Sequence, residues 1–160
     1  MPIQVGDQFP RVSVQTCDAQ GAPAPLDLDL FLQGKTVVIV GVTGAFTPTC
    51  SVRHLPGFVQ QAAALQAKGV DLIACHAVND AFVLGTWAKS LGSADITMIA
   101  DGTAALTRAL GLELDLTATG MGLRCQRYAA IVKNGEVTYL GVEPGQSLGV
   151  SSAKAVLEAL

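Results

Sequence analysis

The chain has 160 residues, half of them apolar and 14% charged, which suits one domain with a substantial core and excludes a disordered segment. Ten basic against thirteen acidic residues leave a net charge of −3 with no Lys/Arg cluster, so neither nucleic acid nor an anionic membrane is an expected partner. The start, "MPIQVGDQFP", has no basic flank or apolar core and does not read as a secretory signal, and the most apolar run is too short to span a bilayer, so a cytoplasmic location is expected.

No internal repeat or low-complexity segment is visible, and the first 35 residues are turn-rich, with "CDAQGAPAP" breaking structure repeatedly. From Thr36, "TVVIVGV" is a β-branched run that predicts a strand covered on both faces. A helix is predicted from about Thr49 to Lys68, closed by Gly69. "VDLIACHAV" predicts a second buried strand, and "DAFVLGTWAKSLG" a helix started by Asn79 or Asp80 and closed by Gly92. "DITMIAD" reads as a third strand and "GTAALTRALG" as a short helix. "CQRYAAIV" and "EVTYLGVE" flank an Asn-Gly turn and predict a hairpin, and "SSAKAVLEAL" a terminal helix capped by Ser151 or Ser152. Strands alternating with helices imply βαβ units and a mostly parallel sheet. The order predicts an α/β thioredoxin-like sandwich over a single domain, residues 1–160: a central mixed β-sheet flanked by helices, with a C-terminal β-hairpin and helix. A flavodoxin-like sheet ranks second because it would normally end without the hairpin.

Four scattered cysteines, Cys17, Cys50, Cys75 and Cys125, form neither a disulfide framework nor a C-x-x-C pair. With only two histidines, no clustered metal ligands are expected. Cys50 differs from the others in its place. Thr47 is a good N-cap, Pro48 suits the first helical position, and Cys50 then falls in the first turn, near unpaired amides and the positive end of the helix dipole. Those surroundings favour a thiolate, which is the reactive form. A thiol just after a central strand also lies at the carboxyl edge of the sheet, where α/β folds place their sites. A free cysteine is more often a small buried hydrophobe. The polar, Gly-containing loop before it and His54, one turn on along the same helix face, raise the chemical reading.

At these residues "GAFTPTCSVRHLPGF" resembles the active-site segment of peroxiredoxins, specifically the type II or peroxiredoxin-5-like subfamily. "KGVDLIACHAVNDAFVLGTWAKS", "ADGTAALTRALGLELDL" and "GMGLRCQRYAAIVKNGEV" resemble later family segments in order, so the likeness covers nearly the whole chain. It implies a thioredoxin-like fold and reduction of hydrogen peroxide and alkyl hydroperoxides by a peroxidatic cysteine, with no metal or organic cofactor. By position, Cys50 matches that cysteine, Thr47 the threonine that contacts sulfur and peroxide, and Arg127 the active-site arginine. Thr43, Gly44, Phe46 and His54 would line the substrate pocket. One departure stands out: Thr43 occupies the place of a family proline that limits solvent access to the thiolate, which predicts reduced rather than abolished activity. Strand parity places Arg127 on one face with Cys125, Ala129 and Ile131, with Arg124 opposite; the family match selects Arg127. Pro56 is expected to kink the helix by freeing the Val52 carbonyl.

The chemistry requires a thiolate, an aligned peroxide and donors for the charge that builds on the leaving oxygen. The resulting sulfenic acid must then be reduced by a second thiol. The resemblance implies an external reductant, glutaredoxin with glutathione or thioredoxin, with Cys75 as the less favoured internal resolving cysteine and Cys17 and Cys125 as space-fillers. It also implies a homodimer, for which exposed apolar residues around Phe46 and Leu55 are candidate contacts. Two rivals compete with the peroxidase: a redox sensor or partner-binding protein weakened by Thr43, and a disulfide oxidoreductase, which the missing C-x-x-C argues against.

Overall fold

A computed structural model describes residues 1–160. Its centre is a seven-stranded sheet in the order β2-β1-β5-β4-β3-β8-β9. The strands are β1 (Val14–Cys17), β2 (Pro23–Leu26), β3 (Thr36–Gly41), β4 (Leu72–Ala77), β5 (Thr97–Ala100), β8 (Tyr128–Lys133) and β9 (Glu136–Val142). Two further strands, β6 (Glu113–Leu116) and β7 (Gly122–Cys125), pair only with each other. The helices are α1 (Leu28–Leu32), α2 (Leu55–Gln60), α3 (Ala62–Ala67), α4 (Ala81–Ser90), α5 (Ala105–Leu110) and α6 (Ala153–Ala159).

The expected α/β sandwich is present, and its core explains the unbroken apolar strands. Val38 and Val40 of β3 pack on one side of the sheet with Leu55, Phe58, Leu84, Trp87 and Val156. Val37 and Ile39 face the other side, with Leu28, Leu32, Leu106 and Leu110. A strand covered on both faces has no solvent side to mark with polar residues. The predicted hairpin closes on Asn134 and Gly135, whose φ angles of 47° and 84° are those of a two-residue turn matched to strand twist. Asp80 and Ser152 cap α4 and α6 with their side-chain oxygens. No helix is long and apolar enough to cross a membrane.

Several expectations need correction. The sheet is not mostly parallel: only β3–β4 and β4–β5 pair in parallel, while β1, β2, β8 and β9 add antiparallel pairs at both edges. The first 35 residues hold two strands and a helix, because four-residue edge strands tolerate Pro23 and Pro25. The long helix predicted from Thr49 is broken twice. Residues Cys50–His54 form a π-helical turn, and Gln61 (φ −98°, ψ 9°) separates α2 from α3. Leu55 is fully buried in the core and offers nothing to a partner; Val52, 72% exposed, and Phe46 lie outside instead.

Candidate active site

Gly41 ends β3 against the ring of Tyr128, so closely that a Cβ at position 41 would collide with it. The chain then turns through Thr43–Thr47 to the π-helical turn. Phe46 has a left-handed backbone (φ 64°), uncommon for an aromatic residue, and its side chain is 56% exposed. Ala45 N–H donates to Asn79 Oδ1 (3.0 Å), and Trp87 Nε1–H donates to Ser51 Oγ (2.9 Å), so the segment leading into α4 holds the loop and the C-terminal half of α4 holds the turn that follows. Pro56 has no N–H for the Val52 carbonyl, and the wide turn lies just ahead of it, with Leu55 N–H reaching back five residues to Cys50 O.

Cys50 is buried at the start of that turn. Arg127 Nη1 lies 3.2 Å from Cys50 Sγ and Thr43 Oγ1 lies 3.5 Å from it. Thr47 does not cap the helix as expected; its hydroxyl donates to Gly44 O at 2.7 Å, and only its carbonyl serves the helix, accepting from Ser51 N–H. Burial by itself would raise the Cys50 pKa. Polar groups of Thr47, Thr43 and the Gly44 backbone, together with the Arg127 charge, outweigh burial and hold the thiol below its ordinary value.

Arg127 is buried in the two-residue break between β7 and β8, with its carbonyl accepting from Glu143 N–H at 2.9 Å. Nη1 also donates to His54 Nδ1 at 3.2 Å. A guanidinium can only donate, so Nδ1 must accept, and the His54 proton sits on Nε2 and is donated to Ser151 O at 2.9 Å. Arg127 Nε is buried with no partner in the protein. An unpaired buried donor on the guanidinium that touches the thiol leaves one hydrogen bond still to be made.

His54 thus touches the arginine from behind, and Gly44 lies under Arg124, whose Nη1 would be 2.9 Å from a Cβ there. Arg124 also bonds Met121 O and Val78 O, so it closes over the loop before Cys50, although parity set it on the face opposite Arg127. Parity failed because β7 ends at Cys125 and the chain re-enters the sheet at Tyr128. Cys125 packs on the opposite side from Ala129 and Ile131, near His76. Cys75 lies on the Cys50 side of the sheet, opposite Val40, fully buried, and burial pushes its thiol well up. Cys17 is partly exposed and packs against Gly85. All four cysteines are free.

Sequence reasoning missed Glu143. Its carboxylate accepts from Gly149 N–H (2.6 Å), Ser151 N–H (2.8 Å) and Ser151 Oγ–H (2.6 Å), which fixes the carbonyl that holds His54. No local signal points to it, because Glu143 reads as the last residue of the predicted strand and its partners lie six to eight residues on.

A family model described as Redoxin matches residues 4–157. Rice peroxiredoxin-2E-2, a chloroplastic protein, is 45% identical over 99% of this chain and 72% of its own length. The reduced Prx3 of Vibrio vulnificus in complex with H2O2 superposes with a TM-score of 0.93 at 45% identity, over 98% of both chains. A Burkholderia cenocepacia structure that carries a provisional thioredoxin reductase name superposes at 0.96 with 46% identity over 100% and 99% of the two chains; no C-x-x-C pair accompanies that name here. A thioredoxin-like fold with a buried cysteine held by an arginine defines a thiol-dependent peroxidase class, an oxidoreductase acting on peroxides with a thiol reductant. The chain belongs to the type II peroxiredoxins.

Proposed function

We propose that Cys50 is the peroxidatic cysteine, with Arg127 and Thr47 completing the catalytic group and Thr43, Gly44, Phe46 and His54 around the substrate pocket. The observation that carries this reading is the 3.2 Å contact of Arg127 Nη1 with Cys50 Sγ, beside an Arg127 Nε that has no partner. The thiolate attacks the near peroxide oxygen. An S–O bond forms, the O–O bond breaks, Cys50 becomes the sulfenic acid, and the leaving alkoxide or hydroxide takes a proton from solvent. Arg127 Nε supplies a fixed donor where negative charge builds. The Thr47 hydroxyl hydrogen is committed to Gly44 O, which leaves its oxygen lone pairs to accept the peroxide O–H and so align the O–O bond with sulfur.

The substrates in this reading are hydrogen peroxide and alkyl hydroperoxides, with the sulfenic acid reduced by glutaredoxin and glutathione or by thioredoxin. Full burial and a raised thiol make Cys75 a poor internal nucleophile, which supports the external reductant. We infer a homodimer contact through exposed Phe46 and its neighbours on the active-site face, among them Val52. The place of Thr43 in the motif favours one second reading, a redox sensor with slow peroxide chemistry. Peroxide turnover with each reductant separates the two. Cys50→Ser is expected to abolish turnover and Arg127→Lys to lower it about 100-fold, as for loss of a transition-state donor. Turnover that survives Cys50→Ser would overturn the assignment. Negligible turnover of the unmodified protein with every thiol would favour the sensor.

A further inference from the structure

Thr43 is 3% exposed, and its hydroxyl has no partner within hydrogen-bonding distance except Cys50 Sγ, 3.5 Å away. A thiolate has no hydrogen to give, so in the reactive state the Thr43 hydroxyl must be the donor. The hydroxyl of Thr47 is in the opposite position, its single hydrogen taken up by Gly44 O at 2.7 Å. The backbone keeps Thr43 in place: Val42 N–H donates to His76 O at 3.0 Å on the strand side, and Ala45 N–H to Asn79 Oδ1 at 3.0 Å on the loop side.

We propose that Thr43 is a catalytic residue of this enzyme, donating the hydrogen bond that, with Arg127, holds the Cys50 thiolate, and thereby freeing Thr47 to act on the peroxide as acceptor. The proposal rests on Cys50 being the reacting thiol. The two threonines then have separate tasks, one toward sulfur and one toward oxygen. Two side chains lie within donor distance of sulfur, Arg127 Nη1 and Thr43 Oγ1. The two differ in kind: Arg127 contributes a full charge from the sheet side, whereas Thr43 contributes a dipole from the loop that leads into the Cys50 turn. The lowered pKa of Cys50, toward which the Thr43 hydroxyl contributes, agrees with that role. The departure at position 43 therefore adds a donor to the sulfur as well as altering the loop.

Stabilising a thiolate has two opposed consequences. It raises the thiolate fraction at a given pH, and it lowers the intrinsic nucleophilicity of each thiolate. Removing the hydroxyl must reverse both. The test is alkylation of Cys50 by iodoacetamide from about pH 4 to 10, a range that spans ordinary and lowered thiol values. Reaction is followed on the Cys50 peptide by mass spectrometry, so that partly exposed Cys17 does not contribute. Thr43→Val keeps the shape and removes the hydroxyl, Thr43→Ala removes it with less bulk, and Thr43→Ser restores it.

Thr43→Val and Thr43→Ala are each expected to raise the Cys50 pKa by about one unit, the scale of one hydrogen bond to a charged group. Above both pKa values they should alkylate about threefold faster than the unmodified protein, following the basicity dependence of thiolate attack. Thr43→Ser should titrate with the unmodified protein. A Thr43→Val protein that titrates with the unmodified protein, or a Thr43→Ser protein displaced as far as Thr43→Val, would overturn the proposal. The titration needs no peroxide. If Cys50 were not the peroxidatic cysteine, peroxide turnover would survive Cys50→Ser while the Thr43 titration still reads the hydrogen bond on its own.

Discussion

Both Nη1 contacts of Arg127 go to side chains from one turn, Cys50 Sγ and His54 Nδ1. That forces His54 to stay neutral, since a protonated Nδ1 would face a guanidinium. Burial is the main reason its pKa falls from 6.5 to about 4; Arg127 adds to the fall, while the Ser151 carbonyl and Glu143 oppose it. The unfolded chain therefore binds one more proton than the folded one between about pH 6.5 and 4, so stability is complete above pH 6.5 and drops as pH falls to 4. A shift of this size corresponds to a loss on the order of 3 kcal/mol. Glu143 and Asp101, both held below ordinary carboxylate values, contribute in the same direction at lower pH. Denaturant midpoints measured from pH 7 to 4 should fall for the unmodified protein and fall much less for His54→Gln. Parallel curves for the two proteins would contradict a neutral, proton-excluded His54.

At the scale of elements, the site joins pieces far apart in sequence. The turn after β3 supplies Cys50, the β7–β8 break supplies Arg127, and the segment before α6 supplies Ser151. Glu143, just past β9, binds that segment through three short bonds and so acts on Cys50 through Ser151, His54 and Arg127 in turn. In the proposed site its place is that of a positioning residue. Glu143→Gln should lower the peroxide rate between about 10- and 100-fold, the range expected when a reacting group is displaced. It should also raise the Cys50 pKa, which a purely structural role would not change; an unaltered Cys50 titration would rule the relay out. The proposed group Cys50, Thr47 and Arg127 was read from two local motifs, and the structure brings Arg127 against Cys50 from far along the chain. The same motif reading expected Thr47 to cap a helix, and its hydroxyl turned instead to Gly44 O. Glu143 and Asn79 were not legible, because their partners lie many residues away and no spacing records the contact. Arg124 and Cys125 were misplaced because alternation assumes an unbroken strand, and the chain leaves the sheet at Gln126 and Arg127.

For the molecule as a whole, alternation of apolar strands and helices was enough to read the sandwich. Burial on both faces leaves β3 and β4 apolar but for Thr36 and His76, and position 41 takes only glycine because Tyr128 fills the space of a side chain. The edges were harder: β1, β2, β6 and β7 have four residues each and owe their pairing to neighbours in space more than to their own composition. The sheet also bears on how the proposed cycle would close. Cys75 lies in β4 beneath the Cys50 turn, fully buried, where reaching a sulfenic acid would require the core to open. In the proposed cycle Cys50 is therefore the peroxidatic thiol and the reductant comes from outside the chain. Intact mass after a brief pulse of limiting hydrogen peroxide tests both parts directly. A gain of one oxygen that a sulfenic-acid trap captures, absent in Cys50→Ser, is expected. A loss of two hydrogens that disappears in Cys75→Ser would contradict the external reductant, and an oxygen gained equally by Cys50→Ser would contradict the assignment of Cys50.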